Sequence, residues 1–291
     1  MNQTSIATEI DLPPLPDILT EPVVRAALIE DLGRAGDITS MAVIPADARL
    51  RGTIATRQPG VIAGAGIAAL AFRLLDPAIR VDIQRPDGTR VAAGDVVLTI
   101  DGPARSVLGA ERVALNLSSR LSGIATATAG LVDAARPHKA RITCTRKTTP
   151  GLRALEKYAV RAGGGANHRF GLDDAVLIKD NHIAVAGGVT QAITRARRSI
   201  GHLVKIEVEV DRLDQLMLAL EAGVDAVLLD NMTPGMLADA VAITAGRAMT
   251  EASGRISRDT VAAVAASGVD LISAGWLTHS APILDLGLDV G

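Results

Sequence analysis

Three short motifs carry the residues best suited to chemistry. They are Thr145–Gly151 (TRKTTPG), Gly163–Arg169 (GGGANHR) and Leu177–His182 (LIKDNH), and they supply Arg146, Lys147, His168, Arg169 and Lys179. From Lys139 to Asp180 the chain has nine Lys/Arg and four Asp/Glu, a net +5 in a protein of net charge −2. Cations gathered this way in a mildly acidic chain suit a small, multiply charged anion. A nucleic-acid surface would need basic charge spread along an extended face. Arg146 and Arg169 are suited to planar carboxylates, which a guanidinium binds through two parallel hydrogen bonds. Lys147 and Lys179 are point charges, suited to phosphate or to one carboxylate oxygen. Gly163–Gly165 would let a ligand approach the backbone closely. Arg153, Lys157 and Arg161 recur every four residues and read as a solvated helix face.

Acids follow further along. Glu207 and Glu209 lie two apart, on one face of an expected strand. Asp230-Asn231 ends another strand, and Glu251 precedes Ser253-Gly254. A lone acid at a strand end serves equally well as a helix cap. Consecutive strands ending in Lys179-Asp180, Glu209, Asp230 and Glu251 instead describe a ring of charge around one mouth. Carboxylates beside cations are what a magnesium-bound phosphate requires, because Mg²⁺ takes one or two carboxylates and completes its shell from water and phosphate. The turns at Ser253-Gly254 and Ala274-Gly275 offer backbone N–H groups to a phosphate.

The elements that must position these residues repeat one pattern. Short β-branched runs at Arg141–Thr145, Ala175–Ile178, Leu203–Val210, Ala226–Leu229, Ala248–Glu251 and Leu271–Ala274 each precede an Ala-rich helical segment, with starts 34, 28, 23, 22 and 23 residues apart. Six such units in series predict a parallel α/β barrel, with its site at the carboxyl ends of the strands. A doubly wound sheet is the competing architecture, weakened because no Gly-x-Gly-x-x-Gly follows a first strand. The first ~115 residues lack this rhythm. A helix is expected over Glu21–Asp31, with Pro22 at its start. Strands are expected over Arg49–Arg57, Val81–Gln84 and Asp95–Ile100. These make a separate α+β domain, joined by a helix over Glu111–Leu121.

Composition excludes several classes. Aromatics are only 1% of 291 residues, which leaves an aliphatic core and no base-stacking platform. The single cysteine, Cys144, excludes an internal disulfide and a multi-Cys zinc site and reads as a small buried filler. Met1–Ile10 lacks the pattern of a signal peptide, and Val61–Phe72 is too short to span a membrane. A soluble cytoplasmic protein is expected, with no nucleic-acid or membrane partner.

At these residues the chain closely resembles the quinolinate phosphoribosyltransferases. The match runs through Glu30–Gly33, Gly36–Thr39, Glu111-Arg112, Leu115-Asn116, Leu121–Thr126, the three basic motifs, Ile206–Val210, Leu229–Met232, Glu251–Gly254 and Leu277–Pro282. The resemblance implies an α/β protein: an N-terminal α/β sandwich domain (1–116, joined by the tail 283–291) and an incomplete, about seven-stranded parallel α/β barrel (117–282). It implies transfer of phosphoribose from phosphoribosyl pyrophosphate to quinolinate, with Mg²⁺, giving nicotinate mononucleotide, pyrophosphate and CO₂ in NAD biosynthesis. A homodimer with shared active sites, in some members built up to a hexamer, is implied too.

By motif, Arg146, Arg169 and Lys179 match the residues that hold the quinolinate carboxylates, with His168 beside them. Arg112 matches an arginine reaching in from the partner subunit, and Lys147 a lysine near phosphoribosyl pyrophosphate. Glu209 and Asp230 match the acids for the ribose hydroxyls and the metal, and Ser253, Gly254 and Gly275 the 5′-phosphate loops. The expected catalytic set is thus Lys147, Lys179, Glu209 and Asp230. Two departures stand out: Arg255 where many members have Gly, and Trp276 where many have Ala. The competing readings are a Schiff-base aldolase using Lys179, a paralogous transferase associated with molybdate transport, and a non-catalytic phosphosugar-binding barrel. The first leaves Arg146, Arg169, Glu209 and Asp230 without roles.

Overall fold

The computed structural model describes residues 12–291; the expectation about Met1–Ile10 lies outside them. The elements, in order, are α1 (Asp17–Leu32), α2 (Ile38–Val43), β1 (Arg49–Thr56), β2 (Gly60–Val61), α3 (Ala65–Leu75), β3 (Arg80–Ile83), β4 (Arg90–Val91), β5 (Val96–Pro103) and α4 (Ala104–Ala135). Then come β6 (Arg141–Thr143), α5 (Arg153–Ala162), β7 (Val176–Ile178), α6 (Asp180–Ala186), α7 (Val189–Ser199), β8 (Ile206–Val210) and α8 (Leu213–Glu221). The chain closes with β9 (Ala226–Asp230), α9 (Pro234–Thr244), β10 (Met249–Ser253), α10 (Val261–Ala266), β11 (Leu271–Ser273), α11 (Trp276–His279) and β12 (Leu286–Val290). Two compact units result. The first runs to Ala127 and includes Pro150–Gly164 and Ala281–Gly291; the second holds Thr128–Thr149 and Gly165–Ser280. Helix α5 therefore belongs to the first unit, although it falls between two strands of the second.

The first unit is an antiparallel sheet, in the order β12-β1-β5-β3, with helices packed on it. Alternation along β1 sends Leu50, Gly52 and Ile54 inward, and α3 buries almost its whole Ala-rich length with Phe72. Each fully buried large side chain here, such as Phe72, Ile54 or Leu98, contributes roughly 1.5–3 kcal/mol. The returning tail pairs with β1 through β12, and Arg57 clamps it to Asp289 with two hydrogen bonds of 2.6 and 2.9 Å.

Helix α1 starts one turn earlier than the sequence suggested, so Pro22 sits inside it. Pro22, sixth in the helix, forfeits the bond its N–H would have given to Ile18 O, and the helix runs on through it. Helix α4 is 32 residues long, far beyond the expected Glu111–Leu121, because no proline interrupts it before Pro137. Gly123 within it is required sterically: a Cβ would lie 2.8 Å from Ile283 Cα and collide with Pro282 O.

Lys157 corrects another expectation. It is 3% exposed rather than solvated, and its neighbour Glu156 is fully buried against Arg120. Period-four cations on a helix mark a surface only when that face is left uncovered. Here Tyr158 Oη also bonds Asp87 Oδ2 at 2.7 Å, so this side of α5 is interior to its unit.

The second unit is a six-stranded, all-parallel sheet in the order β6-β11-β10-β9-β8-β7. Ala166 adds a one-residue parallel bridge on the far side of β6, which gives the incomplete barrel a seventh position. Cys144, next to that bridge, is in no disulfide and is buried, as a filler should be. Two aspartates tie the amino-terminal ends of the strands. Asp225 accepts from Ile206 N and Lys205 Nζ, and Asp270 accepts from Thr250 N, Thr250 Oγ1 and Lys139 Nζ, all at 2.6–2.9 Å. Acids at this end act in stability, so the opposite end is left for function. Among the described residues no helix is long and apolar enough to cross a membrane.

Candidate active site

At the carboxyl ends of the parallel strands lies a cavity of about 700 Å³, within the range of small-molecule sites. Its lining brings together Arg146, Lys147, His168, Arg169, Lys179, Glu209, Asp230, Ser253, Gly254 and Gly275. These come from the ends of all six strands, or the loops after them, and from the segment after α5. The outlier among the expected residues is Arg112, which lies exposed on α4 in the first unit.

Strand β8 shows how sequence alone can aim a side chain. Ile206, Val208 and Val210 are buried on one face, and the period of two turns Glu207 and Glu209 to the other. Glu209 Oε2 receives Lys179 Nζ at 2.5 Å, and Lys179 is itself the residue before α6, its main-chain N–H held by His182 Nδ1 at 2.9 Å. Asp230 Oδ2 accepts from Asn231 Nδ2 at 2.7 Å. Asn231 has a left-handed φ of 54°, and its N–H donates to Ser253 O at 2.9 Å. That stitch joins the loops after β9 and β10.

The glycines are shaped by these neighbours. Gly254 has φ +105°, and a Cβ there would lie 2.8 Å from Asn231 Cγ. A Cβ on Gly275 would lie 2.8 Å from Lys147 Cδ. Arg255, in the position where the resemblance implies glycine, also adopts a left-handed φ of 49°. Trp276 donates its Nε1–H to Ile256 O at 2.9 Å and so pins the loop that carries Arg255.

The arginines form the second half of the site. Arg169 Nη1 donates to Ala175 O at 2.8 Å, whereas Nε of Arg169 and Nε of Arg146 are buried with no hydrogen-bond partner. Buried charged donors are costly when unpaired, and two of them in one cavity wall ask for an anion. Burial, and then the charge of Arg146, push the Arg169 guanidinium below its ordinary pKa, while Glu207 and Asp174 push it up. Closely placed like charges of this kind are relieved by a dianion.

His168 is engaged on both ring nitrogens. Arg169 N–H donates to Nδ1 at 2.8 Å, and Nε2 lies 2.8 Å from Glu207 Oε2. Glu251, one strand pair away, is almost wholly buried. Asn231, Glu207 and Glu251 are the site residues that the sequence reading placed near the mouth without giving them roles. The signal that could have marked Asn231 is its position directly after the strand-end acid.

Known proteins match along almost the entire chain. The family model described as quinolinate phosphoribosyl transferase, N-terminal domain, matches residues 37–122, and that of the C-terminal domain matches residues 124–289. The chain is 47% identical to the nicotinate-nucleotide pyrophosphorylase [carboxylating] of Mycobacterium leprae over 92% of this chain and 95% of that one. It is 44% identical to the probable enzyme of that name from Bacillus subtilis, over 90% of each chain. The solved structure of the nicotinate-nucleotide pyrophosphorylase from Francisella tularensis superposes with a TM-score of 0.92 at 39% identity, covering 96% of this chain and 99% of that one. The chain belongs to the quinolinate phosphoribosyltransferase family.

Proposed function

We propose that this chain is a carboxylating nicotinate-nucleotide pyrophosphorylase. It joins quinolinate to phosphoribosyl pyrophosphate and releases pyrophosphate and CO₂, forming nicotinate mononucleotide for NAD synthesis. The observation that carries the reading is one cavity with two unlike halves. One half is a pair of arginines with buried, unpartnered Nε donors; the other is the Glu209–Asp230 acid pair beside glycine-lined strand ends. A pyridine dicarboxylate answers the first half and a phosphorylated sugar the second.

In the reaction, Arg146, Arg169 and Lys179 hold the two carboxylates and set the ring nitrogen against the ribose carbon, an effect of alignment. Ser253, Gly254 and Gly275 offer main-chain N–H groups to the 5′-phosphate. Loss of pyrophosphate builds positive charge on the ribose carbon, as in glycosyl transfer, and the carboxylates of Glu209 and Asp230 stabilise it. Lys147 balances the leaving group. After the C–N bond forms, the pyridinium ring accepts the electron pair from the breaking C–CO₂ bond, and the carbon then takes up a proton.

The donor set fits Mg²⁺, since Glu209 and Asp230 each have a carboxylate oxygen outside their bonds to Lys179 and Asn231, and this hard cation prefers oxygen. When bound, it supplies charge neutralisation at the pyrophosphate. Exposed apolar side chains support an oligomer: Ile18 and Ile29 on α1 and Ile38 and Val43 on α2 in one unit, and Leu172 in the other. We place Arg112 across that interface, at a neighbouring subunit's site.

The test is an assay with quinolinate, phosphoribosyl pyrophosphate and Mg²⁺ that follows nicotinate mononucleotide and CO₂ together, with nicotinate as a control acceptor. Equal amounts of both products from quinolinate, and none from nicotinate, are expected. Folded protein that turns over neither would overturn the reading. For the interface, mixing Arg112→Ala with Arg169→Ala protein should restore part of the activity. No rescue despite demonstrated subunit exchange would remove Arg112 from the partner's site.

A further inference from the structure

Beside Arg169 lies a cluster that the proposed chemistry leaves without a role. His168, Glu207 from β8 and Glu251 from β10 bring one ligand-type atom each to within 4.8 Å of one another. The set has the composition of a metal site, but its hydrogen bonds argue otherwise. His168 Nδ1 accepts the Arg169 N–H, so in the neutral ring Nε2 carries the hydrogen and donates it to Glu207 Oε2. A cation on Nε2 would force the hydrogen onto Nδ1, where it would face another N–H at 2.8 Å.

Glu251 completes the cluster. Its side chain is 2% exposed, its Oε1 has no hydrogen-bond partner, and that oxygen lies 3.9 Å from His168 Nε2. Two carboxylates cannot both stay ionised at this depth beside a neutral ring without a large cost. Glu207 has a donor to accept from, and Glu251 Oε1 has none.

We propose that Glu251 is a positioning residue for acceptor binding: as a neutral acid beside the Glu207 carboxylate, it leaves one negative charge rather than two under Arg146 and Arg169, and so leaves their field for the acceptor's carboxylates. The inference rests on the reading of those arginines given above. Glu207 in turn holds the His168 ring, and the ring holds the Arg169 main chain.

The surroundings are consistent with this role. The strands on either side of Glu251 place Leu228 and Leu271 next to it in register, and neither brings charge. The groups that face it are Glu207 from β8, His168 from the segment after α5, and the Ser273 hydroxyl from β11. Burial, and then the Glu207 charge, push Glu251 up to about 7, against the pull of the Ser273 hydroxyl. The second negative charge therefore appears within the accessible pH range. Both carboxylates of a pyridine dicarboxylate are already ionised there.

The experiment measures the dissociation constant of quinolinate by calorimetry from pH 6 to 8.5, for the wild-type protein and for Glu251→Gln. Binding to the wild type should weaken about tenfold across this range, and the substitution should abolish that pH dependence. Nitrogen-15 spectra of histidine-labelled protein provide a readout independent of binding. With His168 assigned by the loss of its signals in His168→Asn, they should show a neutral ring carrying its hydrogen on Nε2 in both proteins. The same pH dependence in both proteins, or none in the wild type, would overturn the proposal, as would an Nδ1–H ring. If quinolinate binds at no pH, the acceptor reading and the proposal fall together, whereas binding with an unaltered pH profile sinks the proposal alone.

Discussion

The buried carboxyl of Glu251 makes folding stability depend on pH in the direction opposite to most acids. An exposed or unfolded glutamate releases its proton near 4.5, and this one holds it to about 7. Between those values the folded protein binds more protons than the unfolded chain, so stability falls as pH rises. The contribution is intact below about 4.5 and fully lost once pH passes the folded value. At about 1.4 kcal/mol per pK unit the whole window is worth about 3 kcal/mol. Glutamine has the shape of the protonated acid and cannot ionise. Relative to wild type, Glu251→Gln should therefore gain stability progressively from pH 5 to pH 8, by up to about 3 kcal/mol.

For a protein of this size that gain corresponds to roughly 5–10 °C in Tm. Thermal unfolding of both proteins, at several pH values in the same buffers, gives the difference curve, in which every titrating group that does not interact with Glu251 cancels. Parallel curves would refute the reasoning, because they would mean that Glu251 ionises alike in the folded and unfolded states. A variant losing ground as pH rises would refute it more strongly, since the carboxylate would then be the stabilised form.

Other substitutions test the rest of the site. Arg169→Ala removes at least one charge-assisted contact of roughly 1.5–3 kcal/mol, so kcat/KM for quinolinate should fall about ten- to a hundredfold; near-normal kinetics would remove Arg169 from the site. Gly254→Ala places a methyl 2.8 Å from Asn231 Cγ at a φ of +105°; it should displace Asn231 and Asp230 and raise KM for phosphoribosyl pyrophosphate about tenfold or more, and an unchanged value would mean the loop relaxes freely. Trp276→Phe keeps the ring but leaves Ile256 O without its donor; it should cost about 1 kcal/mol, read as weaker binding of phosphoribosyl pyrophosphate with quinolinate binding unaltered, and equal loss for both substrates would argue against a local role.

How much of this was legible in the sequence depended on whether a feature is local. The period-two pattern of Ile206–Val210 gave both the strand and the direction of Glu209, and the βα spacing gave the barrel and its functional end. The reach of α4 and the burial of Lys157 were not legible, because each depends on what lies against a helix rather than on its own residues. An Ala-rich stretch without proline can continue as far as packing rewards it. A row of cations every four residues is solvated unless another element covers it, as happens around Glu156 and Tyr158.

The same distinction separates the two layers of the site. Residues proposed to meet a ligand sit at strand ends and announce themselves by charge, as Lys179, Glu209 and Asp230 do. Residues that hold them in place act through pairings across the sheet, and no spacing in one chain specifies those. Glu207 and Glu251 are 44 positions apart in sequence and meet only because β8 and β10 flank β9. A buried acid between apolar strand neighbours is costly, and the role proposed for Glu251 gives the folded chain a reason to retain it. Glu209 is paired to Lys179, so under the proposed function a substrate competes for that lysine. The Nε donors of Arg146 and Arg169 have no partner to give up, so the proposed function has the acceptor engage that pair, whose field depends on Glu251 in the proposal above.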